Sequence, residues 1–128
     1  MTSDLGLALL SSPTTVKIDV VFLHGLGGSR STTWTNKDNV LWLTWVGDSV
    51  PGARIWTYGY NSSFWKAPSE DALELHCATL LEACATNHVG KEGSGVIFVC
   101  HSLGGILFKS VWSTLCSRCI SIDWKISL

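Results

Sequence analysis

The sequence predicts an α/β protein, a three-layer sandwich in which helices cover both faces of a short parallel sheet. Strand and helix signals alternate along the 128 residues. The predicted strands are continuously apolar, which is typical of strands buried on both faces. Two of these strands end in glycine-rich loops, and the carboxyl ends of parallel strands are where ligand chemistry gathers. A chain of this length can fold as one domain with a core.

Composition and charge exclude several classes of protein. A hydrophobic share of 46% and a charged share of 15% exclude a disordered chain. The net charge of −1 gives no electrostatic reason to bind nucleic acid. Five cysteines, an odd number without a signal peptide, favour reduced thiols and an intracellular location, and no apolar run approaches the roughly 18 residues of a membrane span.

The first half of the chain predicts two strands and one helix. Residues 16–23 are rich in β-branched side chains and predict a strand, which a glycine-rich loop follows. Residues 39–50 predict a short helix with Asn39 as a candidate cap, and Pro51 ends it. Residues 53–59 predict the second strand, and residues 60–68 predict a loop.

The second half predicts two longer helices around a third strand. Residues 69–86 predict a helix that Ser69 can cap, with acidic residues in the first turn where the helix dipole favours them. Its apolar face is formed by Leu73, Cys77, Leu80, Leu81 and Cys84. Residues 96–100 predict the third strand, and residues 103–116 predict the last helix. The aromatic residues Tyr60, Phe64 and Trp65 are candidates for lining an acyl-binding cleft.

Ser102 stands between the third strand and the last helix, where a sharp turn exposes a serine at the top of a sheet. The usual pattern for such a nucleophile elbow is G-x-S-x-G, because strand and helix approach closely there. The residues in these places are Cys100, His101, Ser102, Leu103 and Gly104, followed by Gly105. A cysteine thus replaces the first glycine. The alternative interpretation of Ser102 is a serine that caps the helix.

A serine nucleophile also needs two backbone N–H groups that stabilise the oxyanion. Leu103 supplies the first, and Leu26 in the loop after the first strand is the candidate for the second. The glycines that let this loop approach a substrate are Gly25, Gly27 and Gly28, and His24 is expected to brace the loop. The alternative for this loop is a phosphate-binding turn, but it lacks the third glycine of that motif.

Three stretches of the sequence, in order, resemble the lipase-like α/β-hydrolases. They are "DVVFLHGLGGSRSTTWT", "WVGDSVPGARIWTYGYNSS" and "VIFVCHSLGGILFKSV", and the resemblance runs from about Leu5 to Leu115. Within that group the chain is most similar to the serine-active-site-containing family and to hydrolase domains at the front of fungal multidomain proteins.

The resemblance implies an α/β-hydrolase fold in which the predicted strands are the third, fourth and fifth of the family's sheet, with the 16–23 strand in the middle. It implies that Ser102 is the nucleophile and that Leu26 and Leu103 form the oxyanion hole. The implied substrate is an acyl ester or lipid, without cofactor or metal. Family members are associated with lipid metabolism and with membranes of mitochondria and endoplasmic reticulum, which implies peripheral membrane association.

The remainder of the family's catalytic triad is not found in this sequence. In the family an acid and then a histidine follow the serine. After Ser102 the sequence has Asp123 as an acid and no histidine, and residues 117–128 form an atypical tail. None of the earlier histidines is expected to serve as the base; they are His24, His76, His88 and His101. We therefore expect residues 1–128 to be a single partial domain, truncated and weakly active or inactive.

An exposed apolar sheet edge would need a missing half or another chain to cover it, and we expect the isolated chain to be marginally stable or prone to aggregation. Two other interpretations stay open. One is a catalytically silent interaction or signalling module of a fungal multidomain protein. The other is a small nucleotide-binding α/β protein. The C-x-x-C pair of Cys116 and Cys119 lacks the second pair of a zinc site, so no metal is expected.

Overall fold

The computed structural model describes residues 4–91, 93–116 and 125–126. The strands are β1 (Gly6–Ser11), β2 (Ile18–Leu23), β3 (Ala53–Gly59), β4 (Gly95–Cys100) and β5 (Lys125–Ile126). The helices are α1 (Leu43–Ser49), α2 (Glu70–Thr86) and α3 (Gly104–Cys116), with 3₁₀ turns at Thr32–Trp34 and Ser62–Lys66. The strands form one sheet in the order β1-β3-β2-β4-β5.

The predicted three-layer α/β sandwich is confirmed. Strand β2 lies in the middle and pairs in parallel with both β3 and β4, which is the order that the resemblance implied. Val21 and Leu23 of β2 pack on one side of the sheet with α2 and α3. Val20 and Phe22 pack on the other side with α1 and the first 3₁₀ turn. Because successive strand side chains point to opposite faces, a strand covered on both faces must be apolar throughout.

Helix α2 follows the sequence prediction closely. The Ser69 hydroxyl accepts a hydrogen bond from the Ala72 amide and caps the helix. Cys77 and Leu80 are buried in the core, and the other members of the predicted face pack against it; these are Leu73, Leu81 and Cys84.

Strand β1 was not predicted. It pairs antiparallel with β3 through an irregular register between Leu9 and Ser11. Leu9 is exposed, and the other residues of β1 are half-buried, so the strand is neither a continuous apolar run nor a clean alternation. Its edge position explains the weak signal, since an edge strand is covered on fewer sides than a central one.

The predicted start of the first helix is wrong. Asn39 does not cap it but has a φ of 63°, and α1 begins four residues later at Leu43. The Asn36 side chain accepts hydrogen bonds from the amides of Asp38 and Val40. This local turn holds the chain outside the helix, as asparagine side chains commonly do.

A buried ion pair joins the strands at the opposite end of the sheet from Ser102. Asp19 is fully buried and accepts hydrogen bonds from the Arg54 guanidinium, at 2.6 and 3.0 Å. The Trp56 indole and the Gly90 amide also donate to it, each at 2.9 Å. Burial alone would raise the pKa of Asp19, but these hydrogen bonds outweigh it and hold the pKa below its ordinary value.

In the described part of the chain, no helix is long and apolar enough to cross a membrane. The atypical tail lies outside the described residues except for β5, and so does Cys119 of the C-x-x-C pair.

Candidate active site

Ser102 occupies a strained turn between β4 and α3. The His101 amide still donates to the Leu23 carbonyl at 2.9 Å, so pairing with β2 continues to the residue before the serine. Ser102 then has a φ of +54°, and α3 begins two residues later at Gly104. The left-handed region is unfavourable for any residue with a Cβ, and strain of this kind collects at functional sites. The serine side chain is exposed.

Glycine at position 104 permits the close approach of α3 to the end of β2. A Cβ on Gly104 would lie 2.6 Å from the His24 carbonyl oxygen and 2.8 Å from that of Leu23. Both contacts are with backbone, which cannot move aside. The next residue has more room, since a Cβ on Gly105 would meet only the Cys100 Cβ at 4.0 Å.

Cys100 fits the place where the motif usually has glycine. Its side chain is 1% exposed and lies in the core beneath the turn. Burial raises the pKa of the Cys100 thiol to about 12, so it carries no thiolate at neutral pH. The cysteine is therefore a packing residue and not a rival nucleophile.

The loop after β2 packs directly against the turn that carries Ser102. A Cβ on Gly25 would lie 2.8 Å from the His101 carbonyl oxygen, 3.0 Å from the Leu103 amide nitrogen and 3.1 Å from the Ser102 Cβ. The two glycine-rich loops thus meet backbone to backbone at the carboxyl end of the sheet.

Residues Gly25–Gly28 form a tight turn, with the Gly28 amide donating to the Gly25 carbonyl at 3.2 Å. Gly27 has a φ of +73° at the third position, where a type II turn requires glycine. Leu26 is the second residue of this turn and is 49% exposed. Among the described residues, no group accepts a hydrogen bond from the amides of Leu26 and Leu103.

His24 is fully buried and braces this turn. Its Nδ1 lies 3.0 Å from the Gly25 carbonyl oxygen, and its Nε2 accepts a hydrogen bond from the Tyr60 amide at 3.2 Å. Since Nε2 is an acceptor, the proton of the neutral ring is on Nδ1, which donates to Gly25. Burial lowers the pKa of His24, in keeping with the neutral form.

The remaining histidines lie in three separate surroundings. His101 packs edge-on against Trp34. His76 of α2 contacts the rings of Tyr60 and Phe64. The His88 carbonyl accepts from Arg54 at the other end of the sheet. Within the described chain no histidine hydrogen-bonds the Ser102 hydroxyl, and Asp123 lies outside the described residues.

The aromatic loop after β3 differs from the expected cleft lining. Tyr60 is 5% exposed, so it cannot line an open cleft, and its hydroxyl donates to the His24 carbonyl at 2.6 Å. Phe64 and Trp65 are half-buried. Sequence reasoning missed this use of Tyr60 because no local pattern links a loop tyrosine to a histidine 36 residues earlier.

The chain is similar to proteins named Protein SERAC1. It is 30% identical to the one from Bos taurus over 118 residues, which covers 75% of this chain and 18% of that protein. The corresponding identities are 29% over 118 residues for Homo sapiens and 31% over 120 residues for Danio rerio, with the same coverage. No family model matches the sequence. The chain therefore spans about a fifth of the length of the curated relatives it matches, 18% in each case.

Proposed function

We propose that this chain carries the nucleophile and the oxyanion hole of a serine hydrolase that acts on acyl esters or lipids. The observation that supports this most directly is the strained Ser102, exposed at the carboxyl end of β4 and packed against the Gly25–Gly28 turn. The fold and the similarity to Protein SERAC1 over 75% of the chain agree with this proposal.

In the proposed reaction, the Ser102 hydroxyl oxygen attacks the carbonyl carbon of the ester. The negative charge that develops on the carbonyl oxygen is stabilised by the Leu26 and Leu103 amides. The serine proton passes to a general base and then to the departing alcohol, which leaves an acyl-serine. Water then hydrolyses the acyl-serine, and its proton returns to the serine oxygen.

We propose that the general base comes from residues beyond these 128 or from another chain. The four histidines of the sequence are all described, and none is bonded to Ser102. Without a base, the oxyanion hole and substrate binding alone leave about 10³–10⁴-fold acceleration over water in related sites. The chain alone is therefore proposed to be weakly active.

The substrate class and the location rest on the family resemblance. The proposed substrates are lipids or acyl esters at a membrane surface, which the protein would reach by peripheral association. The exposed Leu26 and the half-buried Leu103 beside the serine agree with such apolar substrates. Intracellular location, in the cytoplasm or at membranes of mitochondria or endoplasmic reticulum, stays a prediction.

A fluorophosphonate probe tests the proposal, because it reacts much faster with a serine in a catalytic site than with an ordinary serine. We expect slow labelling of the folded chain and faster labelling of a longer chain that includes downstream residues with an acid and a histidine. Ser102→Ala should abolish labelling in both, and Ser113→Ala, on an exposed part of α3, should leave it unchanged.

Labelling that survives Ser102→Ala would contradict the assignment of the nucleophile. Folded protein that no probe labels, in either form, would favour a silent interaction module. A rise in melting temperature with nucleotides would favour the nucleotide-binding alternative.

A further inference from the structure

We infer that Tyr60 and Trp65 are positioning residues, which hold the Gly25–Gly28 turn against Ser102 by acting through His24. The inference rests on the proposed function, since it concerns the turn that presents the Leu26 amide. It gives the loop after β3 a role in arranging the oxyanion hole, although neither aromatic side chain belongs to that hole.

Tyr60 and His24 are linked at three points. The Tyr60 amide donates to Nε2 of His24 at 3.2 Å, and the Tyr60 hydroxyl donates to the His24 carbonyl at 2.6 Å. The two rings stack with centroids 4.3 Å apart and an interplanar angle of 13°. One tyrosine therefore fixes both the ring and the backbone of the residue that precedes the turn.

The link continues from His24 into the turn itself. The Gly25 carbonyl accepts from Nδ1 of His24 and also from the Gly28 amide that closes the turn. Leu26 lies between Gly25 and Gly28, the two residues that this hydrogen bond joins. A shift of the His24 ring thus moves the acceptor on which the turn depends, and the Leu26 amide moves with it.

Trp65 fixes Tyr60 from the other side. Its indole Nε1 donates to the Tyr60 hydroxyl at 2.7 Å, so this hydroxyl accepts one hydrogen bond while donating another. Burial raises the pKa of Tyr60 to about 12, which keeps the hydroxyl protonated and able to donate at neutral pH.

A second contact from the same loop reaches the far end of the turn. The Ser62 hydroxyl donates to the Gly28 carbonyl at 3.3 Å. The loop after β3 therefore holds the turn at both ends, at His24 just before it and at Gly28, its last residue. Small displacements matter at such a site, because a misplacement of about 1 Å can lower a rate by about 10²-fold.

Amide hydrogen exchange tests the inference in the protein alone, whether or not Ser102 reacts. Tyr60→Phe removes the hydroxyl but keeps the ring and the backbone amide. We expect the Gly28 amide to exchange about tenfold faster in this variant, because the bond to the His24 carbonyl is lost. The ¹⁵N shifts of the His24 ring should still report a proton on Nδ1, since the Tyr60 amide remains.

Tyr58→Phe is the matched control. It makes the same chemical change two residues earlier in β3, at a buried tyrosine whose hydroxyl has no hydrogen bond within the described chain. Trp65→Phe should act in the same direction as Tyr60→Phe but less strongly, because both Tyr60–His24 bonds remain. Equal exchange at Gly28 in Tyr60→Phe and Tyr58→Phe would overturn the inference.

Probe labelling separates this inference from the proposed function. If the fluorophosphonate labels Ser102, Tyr60→Phe should slow the labelling about tenfold at equal folded fraction, and Tyr58→Phe should not. If no form is labelled, the proposed function fails while hydrogen exchange still decides whether the loop holds the turn. If Tyr60→Phe does not fold, the test passes to Trp65→Phe. The Gly28 amide must then exchange faster in Trp65→Phe than in Tyr58→Phe, and equal rates would overturn the inference.

Discussion

Gly104 and Gly105 are neighbours at the start of α3 but differ in what surrounds them. The first faces backbone carbonyls of Leu23 and His24, and the second has open space out to the Cys100 side chain. The sequence motif indicated that glycine belongs at position 104 but not which atoms demand it. Those atoms come from residues about 80 positions earlier, and no local pattern reports such a contact.

Gly104→Ala should therefore lower the free energy of unfolding, by about 1–3 kcal/mol, because the added methyl group overlaps fixed backbone. Gly105→Ala is the control, and we expect it to be neutral or to stabilise by up to about 1 kcal/mol, since alanine favours a helix over glycine. Urea denaturation of both variants checks this. Similar losses in the two variants would show that the close approach of α3 and β2 is not what demands glycine.

His24 should make the stability depend on pH. Burial lowers its pKa in the folded protein below the ordinary value of 6.5, so the unfolded chain binds the proton more readily. The contribution of neutral His24 to the free energy of unfolding is complete above about pH 6.5, and it is lost as the pH falls below that value. Burial lowers the pKa of His76 as well, which adds in the same direction.

Urea denaturation at pH 7.5, 6.5 and 5.5 should show a falling free energy of unfolding, and His24→Gln should flatten this dependence. The two proteins are compared by the slope of the free energy of unfolding against pH. Any stability that His24→Gln loses at pH 7.5 therefore does not affect the comparison. Asp19 does not interfere in this pH range. Its pKa is lowered from the ordinary value of 3.8, so the stability that it contributes is lost only as the pH falls below about 3.8. A His24→Gln protein with the slope of the original would contradict a buried neutral histidine.

At the scale of elements, the sequence predicted the buried strands and the long helix better than the edges and turns. Periodicity and a capping serine place α2 within one residue, because its face and its cap are local features. Strand β1 depends on pairing with β3, and the late start of α1 depends on the Asn36 side chain. The contact of the two glycine-rich loops was expected from topology, but the role of Tyr60 was not.

The cap of α2 can be tested by itself. Ser69→Ala should lower the free energy of unfolding by about 1 kcal/mol, because the Ala72 amide then loses its acceptor. Ser69→Asp should restore most of this, since aspartate caps helices equally well and suits the helix dipole. Urea denaturation distinguishes the two, and equal losses in both variants would exclude capping as the cause.

At the scale of the whole molecule, the candidate site and the buried ion pair of Asp19 lie at opposite ends of the sheet. Asp19 connects β2, β3 and the loop before β4, while Ser102 stands at the carboxyl ends of the strands. Stability and the proposed chemistry can therefore be tested by separate substitutions.

Asp19→Asn should lower the free energy of unfolding by about 3 kcal/mol, the lower end for breaking a buried ion pair, because Arg54 is partly exposed to water. The control Asp48→Asn, at an exposed position of α1, should change it by less than about 0.5 kcal/mol. Amide shifts of Leu26 and Leu103 should stay the same in both folded variants. Shifts that move at Leu26 in Asp19→Asn would show that the two ends are coupled.

The edge of the sheet at β4 remains the basis of a prediction for the whole chain. Among the described residues, β5 pairs with Val99 and Cys100 of β4. Ile97 of β4 is half-buried on the α1 side of the sheet. We expect marginal stability or self-association of the 128-residue chain. A monomeric elution profile with a sharp two-state melt would contradict it.

The backbone contact between the two glycine-rich loops also bears on how such sequences are inherited. Gly25 and Gly104 are required by the fold, since larger residues would force the loops apart whether or not a substrate ever binds. A descendant that lost its chemistry would keep both glycines for as long as it kept its sheet. Conservation of the glycines in a set of homologues would therefore trace the architecture, and drift at Ser102 beside invariant glycines is what we expect in lineages that lack the proposed catalysis.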